Sequence, residues 1–286
     1  MESGDQVSKA SVKVSATIAL TAVALTGCAV SASNRTTDQS AVPTDSPIAS
    51  QSATPYPSPT PTHYPVKDSL PVTFHVKTKD PVFFITIDDG AFRSKEALEL
   101  VKKHKLPVTG FLNIAYAVQD WDYFREITSF GGAIQNHTMH HLSLVDPRTD
   151  IKDEVCRAQK IFQRHIETRP VWLRPPYGAG GFTFGSTADQ RKKIAQISSS
   201  CGITHIVMWD SEILHGKLLL RSGSKMKPGD IVLMHFRPEL KSDLEVLLRE
   251  GRKAGLTPAP LEEYLSTTPP KPLPPKSATA VPDASG

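Results

Sequence analysis

Two adjacent carboxylates and a later pair of histidines are the residues of this sequence best suited to chemistry. Asp88 and Asp89 follow directly on an apolar run, and His137 and His141 recur at i and i+4 about fifty residues later. One carboxylate and two imidazoles are a ligand set of catalytic zinc sites. The other carboxylate would then be free to take a proton from a metal-activated water. The pattern therefore predicts a metal-dependent hydrolase.

Three further polar residues, Arg174, Asp210 and His235, also follow apolar runs. An arginine at the end of a buried strand needs a carboxylate partner, and Asp88 would supply one. If the strands are parallel in a barrel, their carboxyl ends share the face on which active sites assemble. We therefore expect all of these side chains to converge.

Each signal also has a simpler interpretation. Asp-Asp-Gly at 88–90 is a common turn sequence. Histidines at i and i+4 occur by chance, and a histidine such as His235 can be a satisfied core residue. The stretch from Arg174 to Gly178 can be a rigid surface turn. The combination of these groups is what favours a site.

The elements that must position these groups alternate between two hydrophobic periods over residues 71–265. Strands are expected at 72–76, 82–87, 108–112, 133–135, 171–173, 203–209 and 231–234, and helices at 94–104, 121–130, 150–166, 188–200 and 239–254. A repeated strand–helix order indicates parallel strands joined by crossover helices. The sequence alone leaves open an incomplete (β/α) barrel or an open doubly wound sheet.

Composition divides the chain into four parts. Of the 24 prolines, seven lie in 29–70 and six in 266–286, and these stretches are too poor in large apolar residues to fold. We predict a signal peptide over 1–27, a tether over 28–70, one globular domain over 71–265 and a proline-rich tail over 266–286. The net charge of +4 gives no indication of nucleic acid as a partner.

The N-terminal part has the features of an export signal. Lys9 and Lys13 precede an apolar stretch at 14–26, which is too short to span a bilayer comfortably. The Leu-Thr-Gly-Cys sequence that ends at Cys28 resembles the lipobox of bacterial lipoproteins, in which the cysteine becomes lipid-modified. An ordinary secretory signal is the alternative. Either interpretation places the domain outside the cytoplasm, and the first anchors it to the membrane.

Two other cysteines remain, Cys156 and Cys201. In an exported protein such a pair suggests a disulfide, and two buried free thiols are the alternative.

Taken together, the motifs resemble those of the NodB-like polysaccharide deacetylases, carbohydrate esterase family four. Thr-Ile-Asp-Asp-Gly at 86–90 is similar to the family's first motif, His-Thr-Met-His-His at 137–141 to the second, Arg-Pro-Pro-Tyr at 174–177 to the third and Leu-Met-His at 233–235 to the last. Order and spacing agree over about 80–265. The resemblance implies an α/β fold, a distorted (β/α)7 barrel.

The resemblance also implies a metal site. Asp89, His137 and His141 would bind a divalent metal, most often zinc, with cobalt, manganese or nickel as alternatives.

Further roles follow from the same motifs. Asp88 would be the general base, Arg174 would orient it, and His235 would be the general acid. The backbone amide of Tyr177 would help to hold the oxyanion, and Leu233 would line the pocket for the acetyl methyl group.

The sequence departs from the family at two places. Ala91 stands where a proline usually follows Asp-Asp-Gly, and the fourth motif, Asp-x-x-Asp-Trp, is not found. Asp210 lies at about the right place, in Trp-Asp-Ser-Glu at 209–212. We hypothesise that Asp210 pairs with His235 and tunes it.

The expected function is removal of acetyl groups from an N-acetylated amino-sugar polysaccharide, such as peptidoglycan or a chitin-like glycan. The same site would serve an O-acetyl polysaccharide esterase. A glycan-binding lipoprotein without catalysis is the alternative from a different class. The expected partners are the polysaccharide and, through the lipid, the membrane, and we expect a monomer.

Overall fold

The computed structural model of the chain describes residues 64–166, 169–179 and 186–265. The predicted signal peptide, Cys28, most of the predicted tether and the proline-rich tail lie outside these residues. Among the described residues, no helix combines the length and the apolar character that crossing a membrane requires.

Ten strands in the described residues form one sheet. They are β1 Val72–Thr73, β2 Val82–Asp89, β3 Val108–Leu112, β4 Ile134–Asn136, β5 Trp172–Leu173, β6 His205–Val207, β7 Ser211–Leu214, β8 Lys217–Leu220, β9 Ile231–His235 and β10 Thr257–Pro258. The order is β1-β6-β5-β4-β3-β2-β9-β7-β8, with β10 beside β2. All pairs are parallel except the β7–β8 hairpin. This is the distorted, incomplete barrel that the resemblance implied.

Helices lie between the strands along the chain. They are α1 Lys95–His104, α2 Ile114–Ala117, α3 Trp121–Ile127, α4 Ala158–His165, α5 Ala188–Ser200, α6 Leu240–Lys253 and α7 Leu261–Leu265, with a π-helical turn at Asp153–Arg157 and a 3-10 turn at Pro176–Gly178. The Ser94 hydroxyl accepts the amide hydrogen of Ala97 and caps the start of α1.

Alternation along β2 decides what faces the barrel interior. Phe83, Ile85 and Ile87 join the core that the surrounding helices cover. The residues between them, Phe84, Thr86 and Asp88, are buried on the opposite face. Asp88 therefore points into the barrel because of its parity in the strand.

The first strand of the sheet, β1, approaches the start of β9 at a seam. His75, just after β1, forms an antiparallel bridge with Asp230, just before β9. The amide of Val76 donates to the carbonyl of Gly229 at 2.9 Å. These contacts bring the first strand to the last part of the sheet.

The structure differs from the sequence prediction in its element boundaries. The expected helix at 150–166 contains the π-helical turn, and the hairpin β7–β8 was not predicted. The amide of Gly216 in the hairpin turn donates to the Asp243 carboxylate at 2.8 Å, which fixes the hairpin on α6.

The fold also begins earlier than residue 71. Leu70 is buried in the core, and the Tyr64 ring lies under the Arg169 guanidinium at 4.5 Å. The last residues assigned to the tether therefore belong to the domain, because the leucine and the tyrosine there contribute apolar surface to its packing.

Cys156 and Cys201 are joined in a disulfide, with Cα atoms 5.1 Å apart. The bond ties the π-helical turn to the end of α5. Closing a loop of this length, 45 residues, stabilises the fold by about 4 kcal/mol in the chain-entropy account.

Candidate active site

The predicted chemical groups meet in one pocket at the carboxyl ends of the strands. The pocket has a volume of about 290 Å³. Its walls are formed by Asp88, Asp89, His137, His141, Pro175, Tyr177, Trp209, Glu212, Leu233, His235 and Arg237. Of the residues that the motifs singled out for catalysis and metal binding, only Arg174 and Asp210 are not part of the walls, and their positions differ from each other.

Arg174 lies beneath the pocket and holds Asp88. Its side chain is fully buried, and one guanidinium nitrogen donates to Asp88 Oδ1 at 2.7 Å and to Thr86 Oγ1 at 3.0 Å. The other nitrogens donate to the carbonyls of Val207 and Met208, each at 3.0 Å. A buried guanidinium with this many acceptors is fixed in position, so it holds the Asp88 carboxylate in place at the pocket.

Asp89 stands between two histidines. Its Oδ1 lies 3.4 Å from Nε2 of His137 and 3.2 Å from Nε2 of His141. The oxygen is buried and accepts no hydrogen bond from any residue that the structure describes. The ligand atoms of these three residues, hereafter the pocket triad, all lie within 4.8 Å of one another.

The tautomer of His137 makes the pocket triad suitable for a cation. Its Nδ1 lies 2.7 Å from the carbonyl oxygen of Arg174, which can only accept, so Nδ1 carries the hydrogen. In the neutral ring Nε2 then presents a lone pair towards the Asp89 oxygen. Two lone pairs that face each other repel unless a proton or a metal ion lies between them. A backbone carbonyl that orients a ligand histidine is common in metal sites.

The pKa values within the pocket triad reflect this arrangement. Burial would raise the pKa of Asp89, but the nearby imidazoles of His137, His141 and His235 outweigh it and lower the pKa to about 2. Burial lowers the pKa of His137, yet the carboxylates of Asp88 and Asp89 raise it overall. For His141 the pKa is lowered by burial and then by the charge of His137.

A sharp turn in β2 and an irregular loop bring the ligands together. Asp89 has a φ of 78° and the following Gly90 a φ of 93°, so the chain leaves the strand in the left-handed region. Thr138 and His141 also have positive φ, 72° and 62°. The His137–His141 segment is therefore not the helical turn that an i, i+4 spacing suggests.

Glu154 in the π-helical turn holds this loop from behind. The carboxylate is almost completely buried and accepts hydrogen bonds from the amide and ring of His140, at 3.0 and 2.7 Å, and from the amide of Leu142 at 3.4 Å. His140 is thus a structural residue, and it directs its neighbour His141 into the pocket.

The opposite wall carries His235, which lies next to Asp88 in the register of β9 with β2. Its Nδ1 is buried without a hydrogen-bond partner among the described residues. Leu233, two residues earlier on the same strand, is also buried in the wall. Tyr177 has its ring 4.7 Å from that of His141 and remains 68% exposed.

The hypothesis that Asp210 pairs with His235 is wrong. Asp210 Oδ2 lies 2.6 Å from Nδ1 of His75, and Oδ1 accepts the amide hydrogen of Ile231 at 3.0 Å. Asp210 starts the loop into β7 and is held at the barrel seam, so its side chain leaves the pocket. We call His75, Asp210 and Asp230 the seam cluster.

The seam cluster has its own electrostatics. Asp230 Oδ2 accepts hydrogen bonds from Ser211 Oγ at 3.2 Å and from the amide of Lys227 at 2.9 Å. Burial, followed by the charge of Asp230, raises the pKa of Asp210 to about 6, although His75 acts in the opposite direction.

Three residues of the site were missed in the sequence. Thr86 lies within the first motif but was given no role, although alternation along β2 places it on the same face as Asp88. Glu212 lies in the Trp-Asp-Ser-Glu stretch, where Asp210 was chosen instead. Arg237 follows His235 by two residues, and the same alternation would have placed it in the pocket wall.

Comparison with known proteins gives the context for this geometry. Residues 75–206 match the family model described as polysaccharide deacetylase. An uncharacterized protein of Streptomyces coelicolor is 33% identical over 202 residues, which cover 68% of this chain and 77% of that protein. A peptidoglycan-N-acetylglucosamine deacetylase of Bacillus cereus is 29% identical over 111 residues, 37% of this chain.

The chain spans about half of that deacetylase, 51% of its length. Among solved structures, a pseudoenzyme of carbohydrate esterase family four from Bacillus anthracis has a TM-score of 0.55 and 19% identity, covering 69% of this chain and 70% of that one. At this identity the likeness is one of fold.

Proposed function

The chain belongs to the polysaccharide deacetylase family, and on this premise we propose that it is a metal-dependent hydrolase that removes acetyl groups from an N-acetylated amino-sugar polysaccharide. The glycan would be peptidoglycan or chitin-like. The observation that carries the proposal is the unpaired, buried Asp89 oxygen between two histidines, beside a second aspartate that Arg174 clamps.

The residues of the pocket triad fit a divalent cation. Two imidazole nitrogens and one carboxylate oxygen suit zinc, and the same set accepts cobalt, manganese or nickel. When bound, such an ion would acidify a water and polarise the acetyl carbonyl group. We propose zinc on the basis of this donor set.

The protein's own groups would perform the proton transfers. Asp88 Oδ2 is the oxygen not used by Arg174, and it would take a proton from the attacking water. His235, across the pocket, would donate a proton to the departing amine, which is otherwise a poor leaving group. The backbone amide at Tyr177 would donate to the developing oxyanion, and Leu233 would contact the acetyl methyl group.

We also propose that the domain acts outside the cytoplasm, bound to the membrane through lipid on Cys28. The support is the Leu-Thr-Gly-Cys sequence after an apolar stretch, together with the Cys156–Cys201 disulfide, a bond typical of oxidising compartments. Labelling with radioactive palmitate tests the anchor. We expect incorporation in the full chain and none in Cys28→Ser; equal labelling of both would contradict it.

Acetate release is the test of the activity. The protein is loaded with zinc and incubated with acetylated chitooligosaccharides, peptidoglycan and acetylxylan. We expect acetate from an N-acetylated substrate, and none from the Asp88→Asn variant with the metal still bound. Acetate from acetylxylan alone would make the protein an O-acetyl esterase. If none of the three substrates releases acetate, the proposal is wrong.

A non-catalytic glycan-binding role is the second candidate. The observation in its favour is that His235 Nδ1 has no acidic partner in the described part of the chain, and a solved structure with the same fold is a pseudoenzyme. Glycan binding without acetate release would support it.

A further inference from the structure

Two of the three residues of the pocket triad, His137 and His141, lie on one irregular loop. We call residues 137–142 the ligand loop. Between the end of β4 and residue 151 the described chain contains no helix or strand. Such a loop keeps its shape only through contacts with its surroundings, so the residues that it contacts decide how well the two imidazoles are placed.

The first of these contacts comes from the π-helical turn. The buried carboxylate of Glu154 accepts hydrogen bonds from the amides of His140 and Leu142 and from the ring of His140. The two amides lie on either side of His141 in the chain. Glu154 therefore fixes the backbone that carries this ligand.

Buried amide side chains make a second connection. Asn136 and Gln159 are fully buried. Asn136 Oδ1 accepts the amide hydrogen of Thr138 at 2.7 Å, and Asn136 Nδ2 donates to Gln159 Oε1 at 3.1 Å. Gln159 Nε2 in turn donates to the carbonyl oxygen of Cys201 at 3.3 Å. The backbone next to His137 is thereby linked, through α4, to the end of α5.

The disulfide joins the two elements from which these connections start. Cys156 lies in the π-helical turn, two residues after Glu154, and Cys201 caps the end of α5. Glu154 contacts the ligand loop, whereas Cys156 is bonded to the end of α5. The π-helical turn is therefore held by the ligand loop and by the disulfide.

The geometry of this turn makes the ligand loop depend on the bond. A π-helical turn contains more residues than a turn of α-helix, and it is rare because α-helical hydrogen bonding is ordinarily preferred. The residues on both sides of it, 151–152 and 158–165, are α-helical. Relaxation of the turn to an α-helix would shift its side chains by one residue, roughly 100° about the helix axis. Glu154 would then no longer face the ligand loop.

We propose that the Cys156–Cys201 disulfide positions the ligand loop, so that the pocket triad binds its metal ion tightly only when this bond is formed. The inference rests on the proposed function, because it takes the pocket triad as a metal site. Both cysteines are positioning residues, since neither belongs to the walls of the pocket. The site would gain its affinity in an oxidising compartment, where disulfides form.

Cobalt binding tests the inference. Titration of the metal-free protein with Co²⁺ gives the affinity, and the visible absorption of the bound ion reports the geometry of its ligands. The oxidised wild type is compared with Cys156→Ser/Cys201→Ser, which cannot form the bond.

The wild type is also titrated after reduction by a dithiol. The dithiol breaks the S–S bond into two thiols and is itself oxidised to a disulfide. It is removed under nitrogen before the titration, and a portion of the protein is then re-oxidised and titrated again.

Leu247→Ala is the matched control for a loss of stability. Loss of a disulfide and truncation of a buried leucine both destabilise a fold substantially. Leu247 is fully buried on α6, whose main neighbours are α1 and strands β7 to β10. Circular dichroism before the measurements checks that each variant is folded.

Hydrogen exchange gives a readout that requires no metal. The amides of His140 and Leu142 donate to Glu154, so their exchange rates measure how often the ligand loop opens. The amides of β2, which lies between β3 and β9, serve as the reference within the same protein.

A double-mutant cycle tests the route through Glu154. Glu154→Gln keeps the shape of the side chain but leaves one acceptor oxygen for the three donors. If the disulfide acts through Glu154, the combined variant loses less affinity than the product of the two separate losses. Losses that multiply fully would overturn this route.

We expect the cobalt affinity to fall about 10- to 100-fold in Cys156→Ser/Cys201→Ser and in the reduced wild type, as for other losses of support behind a metal ligand. It should recover on re-oxidation and stay unchanged in Leu247→Ala. Exchange at His140 and Leu142 should rise more than at β2 only when the disulfide is absent.

Equal affinity with and without the disulfide, or an equal loss in Leu247→Ala, would overturn the inference and leave the metal site intact. If even the oxidised wild type binds no cobalt, the pocket triad is not a metal site, and the proposed function fails together with the inference.

Discussion

The pocket triad and the seam cluster are built from the same two residue types, histidine and aspartate. In the pocket triad, Asp89 Oδ1 is buried and unpaired between two Nε2 atoms. In the seam cluster, three of the four carboxylate oxygens accept a hydrogen bond, and the fourth lies 3.4 Å from the ring of His75.

The difference shows what distinguishes a ligand site from a structural one. Residue types alone do not distinguish the two, since both clusters contain histidine and aspartate side chains that could bind a metal ion. What differs is whether the protein already satisfies the acceptors. The seam cluster uses its carboxylates to bind backbone amides and to hold His75, just after β1, beside the start of β9, whereas the pocket triad leaves an acceptor open.

The two aspartates also have opposite pKa shifts. The pKa of Asp89 is lowered to about 2 and that of Asp210 is raised to about 6. Asp89 is thus ionised at any pH at which the protein works, as a ligand must be. Asp210 is buried and has a second carboxylate, that of Asp230, beside it, and both disfavour its ionised form.

The largest expected effect is on metal binding, which should depend on the pocket triad and not on the seam cluster. Asp89→Asn removes the charged ligand, so zinc affinity should fall by at least about 100-fold and kcat/KM by about 1000-fold or more. Asp210→Asn is the matched control and should retain one zinc per chain. Calorimetry and acetate release measure both. Loss of zinc in Asp210→Asn alone would reverse the assignment of the two clusters.

The second effect is on stability. Asp230→Ala leaves the amide of Lys227 and the hydroxyl of Ser211 without their acceptor, so the free energy of unfolding should fall by about 2–3 kcal/mol. Urea titration measures this. The exposed Asp189→Ala should change it by no more than about 0.5 kcal/mol. A stable Asp230→Ala protein without activity would show that the seam has a catalytic role.

The third effect concerns the Arg174 guanidinium, which lies beneath the pocket and holds Asp88. Thr86→Val preserves shape but removes one acceptor of Arg174, so Asp88 should be held less firmly. We expect kcat to fall about tenfold with zinc affinity unchanged. Thr109→Val, another buried strand threonine whose hydroxyl binds Glu262, should leave kcat within about twofold. Equal losses in both would indicate a general effect on packing.

The smallest effect is a pH dependence of stability. The pKa of Asp210 is higher in the folded state than in the unfolded one, so its protonation favours folding. This contribution is complete below about pH 4 and is lost as the pH rises through 6. Asn cannot ionise, so Asp210→Asn should flatten the urea-unfolding profile between these values. A profile parallel to that of the wild type would contradict the assignment.

The fold could be predicted from the sequence because hydrophobic alternation and strand–helix order are local signals. Strand β2 and helix α5 appear near the predicted positions, since each is a continuous periodic stretch. The hairpin β7–β8 was missed because its outer strand lies at the edge of the sheet, where Leu219 is exposed and the pattern of burial is weak.

The sequence predicted the site residues by one rule, that polar residues directly after parallel strands meet at the carboxyl ends of those strands. Asp88, Asp89 and His235 were placed by that rule and meet in the pocket. Asp210 obeys the rule as well, yet it lies at the seam, because a chain that leaves a strand can turn to either side. Which side it takes depends on His75, some 135 residues away. No local pattern contains that information.

Glu154 has a further consequence for the metal. It holds the His140–Leu142 loop through three hydrogen bonds that involve no metal ligand, so the loop is ordered before an ion arrives. Capture of the ion then costs little conformational entropy. Such a domain would lose an ion to a chelator and regain it without unfolding, so its shape and its activity would respond separately to the supply of metal.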